Sequence, residues 1–167
     1  KEAMRATRPG LNERDLSALL AFFYRRHGSV RDGYNTIVAA GHNACILHYQ
    51  ANNRPLYDGD LLLIDSGCEY QYYAADITST FPINGRFTAK QREVYDVVLR
   101  AHQAAIEACV PGTTMEQVHH TSRNVLLEWL IGKGFIEGTV ESIHEKEQEL
   151  TAKRREERET KPIKVEE

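Results

Sequence analysis

The chain has 167 residues, 41% of them hydrophobic, with 21 Lys and Arg against 24 Asp and Glu and a formal net charge of −3. That length suffices for a domain with a real core, the interspersed charges offer no basic field for a nucleic-acid partner, and no apolar run approaches the roughly 20 residues of a membrane span. Three cysteines, Cys45, Cys68 and Cys109, are an odd number without metal-motif spacing, which argues against a disulfide framework and for a reducing, cytoplasmic compartment.

The first element predicted is a helix over Asn12–His27. Leu16, Leu19, Leu20, Phe22 and Phe23 recur at helical spacing, and Arg25, Arg26 and His27 precede a stop at Gly28. Thr36–Ala40 and Ala44–Tyr49, separated by Gly41-His42-Asn43, read as a hairpin. Leu61–Asp65, introduced by Asp58-Gly59-Asp60, is a continuous apolar run of the kind found in strands buried on both faces. A reversal at Ser66-Gly67 follows, then extended segments over Glu69–Tyr73 and Asp76–Phe81, ended by Pro82–Gly85. Thr88 is a candidate N-cap for a long amphipathic helix through Val94, Val97, Val98, Ala101 and Ala108. A further helix is expected from Met115 to Gly132, with Val118, Val125, Leu126, Trp129 and Leu130 inward. From residue 141 to 167 Glu, Lys and Arg dominate, giving a charged tail, helical or disordered. The domain expectation is therefore 1–140 and a tail over 141–167.

One phrase occurs twice. Ala3, Ala6, Pro9 and Gly10 precede one helix, and Ala105, Ala108, Pro111 and Gly112 precede another, offset by 102 residues. Such self-similarity suggests two pseudo-equivalent halves, although the pattern is short enough to recur by chance. The first copy leads into a sheet and the second into the charged tail, so if the repeat is genuine a second sheet is expected to be missing from this chain.

The candidate chemistry lies in the middle of the chain. Asp65 closes the apolar strand, and Asp76 comes eleven residues later on the neighbouring strand, across the Ser66-Gly67 reversal. Carboxylates facing one another in a partly buried sheet repel unless a cation lies between them, and oxygen ligands suit manganese, cobalt or magnesium, with zinc an alternative. The plainer alternative is that Asp65 caps a turn and Asp76 is an ordinary surface residue. His48, in Ile46-Leu47-His48-Tyr49, is either a hydrogen-bonded structural residue or a catalyst. His119 and His120 are adjacent on a helix and face different ways.

Several phrases together resemble the aminopeptidase P (Xaa-Pro aminopeptidase) family of pita-bread metallopeptidases: Tyr34-Asn35-Thr36-Ile37-Val38, Cys45-Ile46-Leu47-His48-Tyr49, Asp58-Gly59-Asp60, Leu63-Ile64-Asp65-Ser66-Gly67-Cys68-Glu69-Tyr70 and Ala75-Asp76-Ile77-Thr78-Ser79-Thr80-Phe81-Pro82-Ile83-Asn84-Gly85. They fall in the family's order and spacing over about residues 3–140. The resemblance implies an α+β fold, half of a pita-bread domain with a curved antiparallel sheet covered by helices. It implies a metalloaminopeptidase that releases an N-terminal residue preceding proline, with two manganese ions in the complete site. Asp65 and Asp76 are the implied metal ligands, His48 the implied catalytic and substrate-contacting histidine, and Tyr34 a further substrate-binding residue. The expected partners are peptides with proline second, not nucleic acid or membrane, with room for a homo-oligomer or a complementing chain. The family's remaining ligands, one histidine and two glutamates, have no counterpart in this sequence. This chain by itself is therefore expected to be weakly active or inactive. A prolidase-type dipeptidase and a non-catalytic pita-bread binding module remain as alternatives.

Overall fold

In the computed structural model, which describes residues 1–160, the chain forms two compact units, the first ending at Gln91 and the second beginning at Arg92. The first opens with a short helix, α1 (Glu2–Ala6), and continues into α2 (Glu13–Arg26). Asn12 caps α2: its side chain accepts from the Arg14 amide at 3.1 Å, while the Asp15 carboxylate accepts from the Asn12 amide at 2.7 Å. Two of the orphan donors at the helix start are thereby satisfied. His27 is the C-cap and Gly28 follows at φ 92°, so the predicted helix stands with its two end residues acting as caps.

The strands are β1 (Arg31–Asp32), β2 (Ile37–Ala40), β3 (Leu61–Ser66), β4 (Cys68–Tyr70), β5 (Tyr73–Ala74) and β6 (Ile77–Pro82). They form two three-stranded antiparallel sheets, ordered β2-β3-β6 and β1-β4-β5. The hairpin expected between 36–40 and 44–49 does not form. Residues Gly41–Cys45 make a turn of 3-10 helix instead, and β2 pairs with β3 from Ile37↔Asp65 to Ala40↔Leu62. The physical reason lies on the other edge of β2, where side chains take the backbone groups. The Ala40 amide donates to the Glu13 carboxylate at 2.7 Å, and the Val38 amide to Asn52 Oδ1 at 2.8 Å. Asn52 Nδ2 donates to the Thr36 carbonyl at 2.7 Å. An edge closed this way needs no partner strand.

β3 also departs from expectation. Its burial alternates, with Leu62, Ile64 and Ser66 buried and Leu61, Leu63 and Asp65 half-buried, so one face carries the core and the other is partly open. Leu62 and Ile64 pack with Val38, Ala40, Phe81 and Ile83, and α1 and α2 cover them through Ala3 and Leu16. Full burial of Leu16, Leu56 and Leu62 stabilises by about 1.5–3 kcal/mol each.

The second unit contains α4 (Met115–Gly132) and α5 (Val140–Thr160); α3 (Ala89–Ala108) begins at the end of the first unit and continues into the second. The repeated phrase has a structural counterpart. Glu13 and Met115 open helices 102 positions apart, both helices start with a capping box, and Gly10 and Gly112 precede them at φ 91° and 93°. Within this unit His144 on α5 bonds Asn124 at 2.9 Å, and Arg123 pairs with Glu147. Of the charged tail, residues 161–167 lie outside the described residues. No helix among the described residues is long and apolar enough to cross a membrane.

Candidate metal centre

Antiparallel register fixes which side chains share a face. Asp65 stands opposite Ile37 on β2 and opposite Thr78 on β6, so these three project from the same side, away from the Leu62–Ile64 core. Asp76 immediately precedes β6, two residues before Thr78, and strand periodicity puts it on that side as well. The acids that sequence spacing singled out therefore meet on the open face of the sheet.

Their meeting is made concrete by Tyr34. Its hydroxyl donates to Asp65 Oδ1 at 2.5 Å and lies 3.1 Å from Asp76 Oδ1. Burial and then hydrogen bonding to the two carboxylates push the Tyr34 hydroxyl far above its ordinary range, so it remains a donor across the neutral pH range. One proton shared between two carboxylates leaves negative charge that a cation can offset. A donor set of two carboxylates on one sheet face fits a divalent ion with oxygen ligands. Among the described residues no group of three or more His, Cys, Asp or Glu converges for a metal. Tyr34→Phe is expected to lower stability by about 1–2 kcal/mol in metal-free buffer, since a hydrogen bond to a charged, half-exposed acceptor is lost. Urea denaturation reads this directly, and an unchanged midpoint would show that the shared hydroxyl contributes nothing.

Gly67 makes the approach of the two segments feasible. A Cβ added at Gly67 would lie 1.6 Å from the Ala75 carbonyl oxygen and 3.1 Å from the Asp76 amide. The backbone before Asp76 thus runs directly against the turn after Asp65, and the Gly33 amide reaches the Gly67 carbonyl at 2.9 Å. Sequence reading treats Gly67 only as part of a reversal. Its position between the two acids is the signal that could have marked it as a close-packing glycine.

His48 is not on a strand. It is exposed, lies beyond the 3-10 turn, and has φ 53°, a region that non-glycine residues adopt only at a cost. Its neighbour Tyr49 is buried and packs with Ile37 and Ala39, with Leu63 against them. That small cluster occupies the sheet face that carries Asp65.

A fifth residue escaped the sequence reading. Glu13 is fully buried, and its carboxylate accepts from the Ala40 amide at 2.7 Å, Asn43 Nδ2 at 3.0 Å, the Tyr49 hydroxyl at 2.7 Å and the Arg54 amide at 2.9 Å. Burial alone would push its carboxyl up, but the two backbone amides, Asn43 and Tyr49 together outweigh burial and hold it below the ordinary carboxylate value. The available signal was position: Glu13 lies three residues before Leu16 and seven before Leu20, on the apolar stripe of α2.

The chain that carries this helix-backed sheet and its paired carboxylates belongs to metallopeptidase family M24, whose model matches residues 1–164. It is 44% identical over 146 residues to an Xaa-Pro aminopeptidase of Haemophilus influenzae, covering 87% of this chain and 34% of that protein. The structure of the Pseudomonas aeruginosa aminopeptidase PepP superimposes with a TM-score of 0.84 at 44% identity, over 88% of this chain and 33% of that one. Structures of Escherichia coli aminopeptidase P, at a TM-score of 0.83 and 41% identity over 87% of this chain and 33% of theirs, include single alanine variants of two aspartates and of one histidine. Those aspartates stand eleven positions apart, and the histidine seventeen before the first. The chain spans about a third of the length of these relatives. The mixed helix and antiparallel-sheet architecture is that of the aminopeptidase P structures, as the pita-bread resemblance implied.

Proposed function

We propose that this chain contributes part of the centre of a divalent-metal-dependent aminopeptidase that releases an N-terminal residue preceding proline, with Asp65 and Asp76 as metal ligands. The carrying observation is the Tyr34 hydroxyl bonded to both carboxylates, which brings together an acid on β3 and one just before β6. Supporting it, Asp65 and Asp76 are eleven positions apart and His48 lies seventeen before Asp65, the spacing of the residues replaced by alanine in the Escherichia coli structures. A bound divalent ion supplies Lewis acidity and a water of lowered pKa. The chain's own groups would do the rest. Asp65 and Asp76 anchor and orient that centre, Tyr34 fixes the two carboxylates relative to one another, and His48 contacts the substrate and moves a proton at the scissile peptide. Manganese is the ion proposed, on the strength of the oxygen donors, with cobalt, zinc and magnesium as competitors.

Titration of the 167-residue chain with manganese by calorimetry tests the reading. Binding is expected in the wild type and is expected to weaken at least tenfold in Asp65→Ala; equal binding in both would sink the metal assignment. For substrate class, the weak manganese-dependent release of the first residue expected of this chain should favour peptides with proline second over otherwise identical peptides with alanine there. Cleavage indifferent to proline would replace the proline-specific reading with a general aminopeptidase.

A further inference from the structure

The loop that carries His48 is held by side chains that the proposed chemistry does not use. Leu47, before the histidine, is 92% exposed, and Tyr49, after it, is 8% exposed. The chain therefore passes from solvent to core across a single residue, and that residue sits at φ 53°. Backbone conformations of this kind persist when the surroundings over-determine them. Here the surroundings are identifiable. The Tyr49 hydroxyl donates to Glu13 Oε2, and Asn43 Nδ2 lies within bonding distance of both Glu13 Oε1 and the Tyr49 hydroxyl oxygen, at 3.0 and 2.9 Å. The Arg54 amide closes the far end of the loop on Glu13 Oε2, and the Glu13 amide donates to the Arg54 carbonyl at 3.0 Å. One buried carboxylate on α2 thus ties down both ends of the segment 43–54. The Tyr49 ring packs on Ile37 and Ala39, and Ile37 is the residue directly opposite Asp65.

We propose that Glu13, acting through Asn43 and Tyr49, is a positioning residue that fixes His48 beside the carboxylate-bearing face of the sheet. This rests on the metallopeptidase reading above, in which His48 works next to a metal held by Asp65 and Asp76. A buried anion with four donors is suited to the task. Its four donors come from β2 and from three points along residues 43–54, and moving any one of them would leave a buried polar group unpaired.

The test uses Tyr49→Phe, which keeps the ring packing and deletes the hydroxyl, in the 167-residue chain labelled with ¹⁵N and with ¹³C in its histidine rings. Asn43→Ala, which removes a different member of the network, guards against a variant that does not fold. His48 signals are assigned by their loss in His48→Gln. Without metal, the His48 backbone amide in the wild type is expected to have an order parameter near 0.85, typical of rigid backbone, falling below about 0.6 in Tyr49→Phe while amides in β3 stay rigid. Substoichiometric manganese is then expected to broaden the His48 ring signal in the wild type, and at least threefold less in Tyr49→Phe at equal metal occupancy measured by calorimetry. A His48 amide that is mobile in the wild type, or equally rigid in both variants, overturns the proposal whatever the metal does. A rigid His48 that depends on Tyr49, combined with no Asp65-dependent manganese binding, instead overturns the metal-centre reading and with it the role assigned to the clamp. Equal broadening in wild type and variant overturns the positioning role alone.

Discussion

Gly67→Ala is expected to abolish Asp65-dependent manganese binding and to lower stability by about 3 kcal/mol or more, the upper end of what overpacking costs. The methyl group would be driven to within 1.6 Å of the Ala75 carbonyl oxygen and 2.4 Å of its carbonyl carbon. Both neighbours are backbone, so no side chain can rotate away. The clash is relieved only by moving residues 75–76 off the turn, which carries Asp76 away from Asp65 and breaks the bridge through Tyr34. Urea denaturation and manganese calorimetry on the same preparation measure the two effects. Gly59→Ala is a suitable control, since at Gly59, φ 82°, an added Cβ meets nothing within 4 Å and only the positive-φ cost of roughly 1–2 kcal/mol remains. A Gly67→Ala variant that bound manganese like the wild type would show that the two acids do not depend on this crossing.

The second large effect belongs to Glu13. Glu13→Ala removes the acceptor for two backbone amides, Asn43 and Tyr49 at once. Each donor stranded in the core costs about 1–3 kcal/mol, part of it recovered by relaxation and water. A net loss of about 3–5 kcal/mol is expected from the denaturation midpoint. Acid supplies an independent check through the depressed carboxyl pKa of Glu13. A group whose folded pKa lies below its unfolded value contributes stability that is present above the unfolded pKa, about 4.3. That stability is lost as pH falls through the lower, folded pKa. Thermal melts of the wild type should therefore drop between about pH 4.3 and the acid limit more steeply than those of Glu13→Gln, which carries no titrating group there. Parallel pH profiles would show that folding does not depress the Glu13 carboxyl.

The helices were largely legible because their signals are local. Asn12 with Asp15 and Thr114 with Gln117 form capping boxes within four residues, and positive-φ glycines lie just outside the helix ends. Nothing distant has to be known to place such an element. The two acids were singled out by spacing, which left a turn cap and a surface residue as the plainer alternative, and the family phrases favoured their pairing. An aspartate ending an apolar strand and another eleven residues on, across a glycine turn, constrain one another through a short chain.

The second expected strand of the hairpin was not legible. Ile46 and Leu47 have strand-like composition, yet they are 52% and 92% exposed, because the β2 edge they would have paired with is occupied by Glu13 and Asn52. Strand preference depends on what lies alongside, and here a helix carboxylate and an asparagine side chain compete successfully with a strand.

The sequence by itself therefore determined the helices α2, α3 and α4, the apolar strand that carries Asp65 with Asp76 eleven residues on, and the family phrases, since each depends on residues close along the chain. Only the tertiary structure decided that Tyr34 joins Asp65 to Asp76, that Gly67 is where two backbones touch, and that Glu13 anchors the loop of His48. The two side-chain relations span long gaps in sequence, 31 residues for Tyr34 to Asp65 and 36 for Glu13 to Tyr49, while the Gly67 contact with Ala75 depends on how closely the chain returns over its own turn. Hydrogen-bond partners and backbone contacts at such distances are set by how the sheet, the helix and the loop pack together, which local periodicity and capping do not encode.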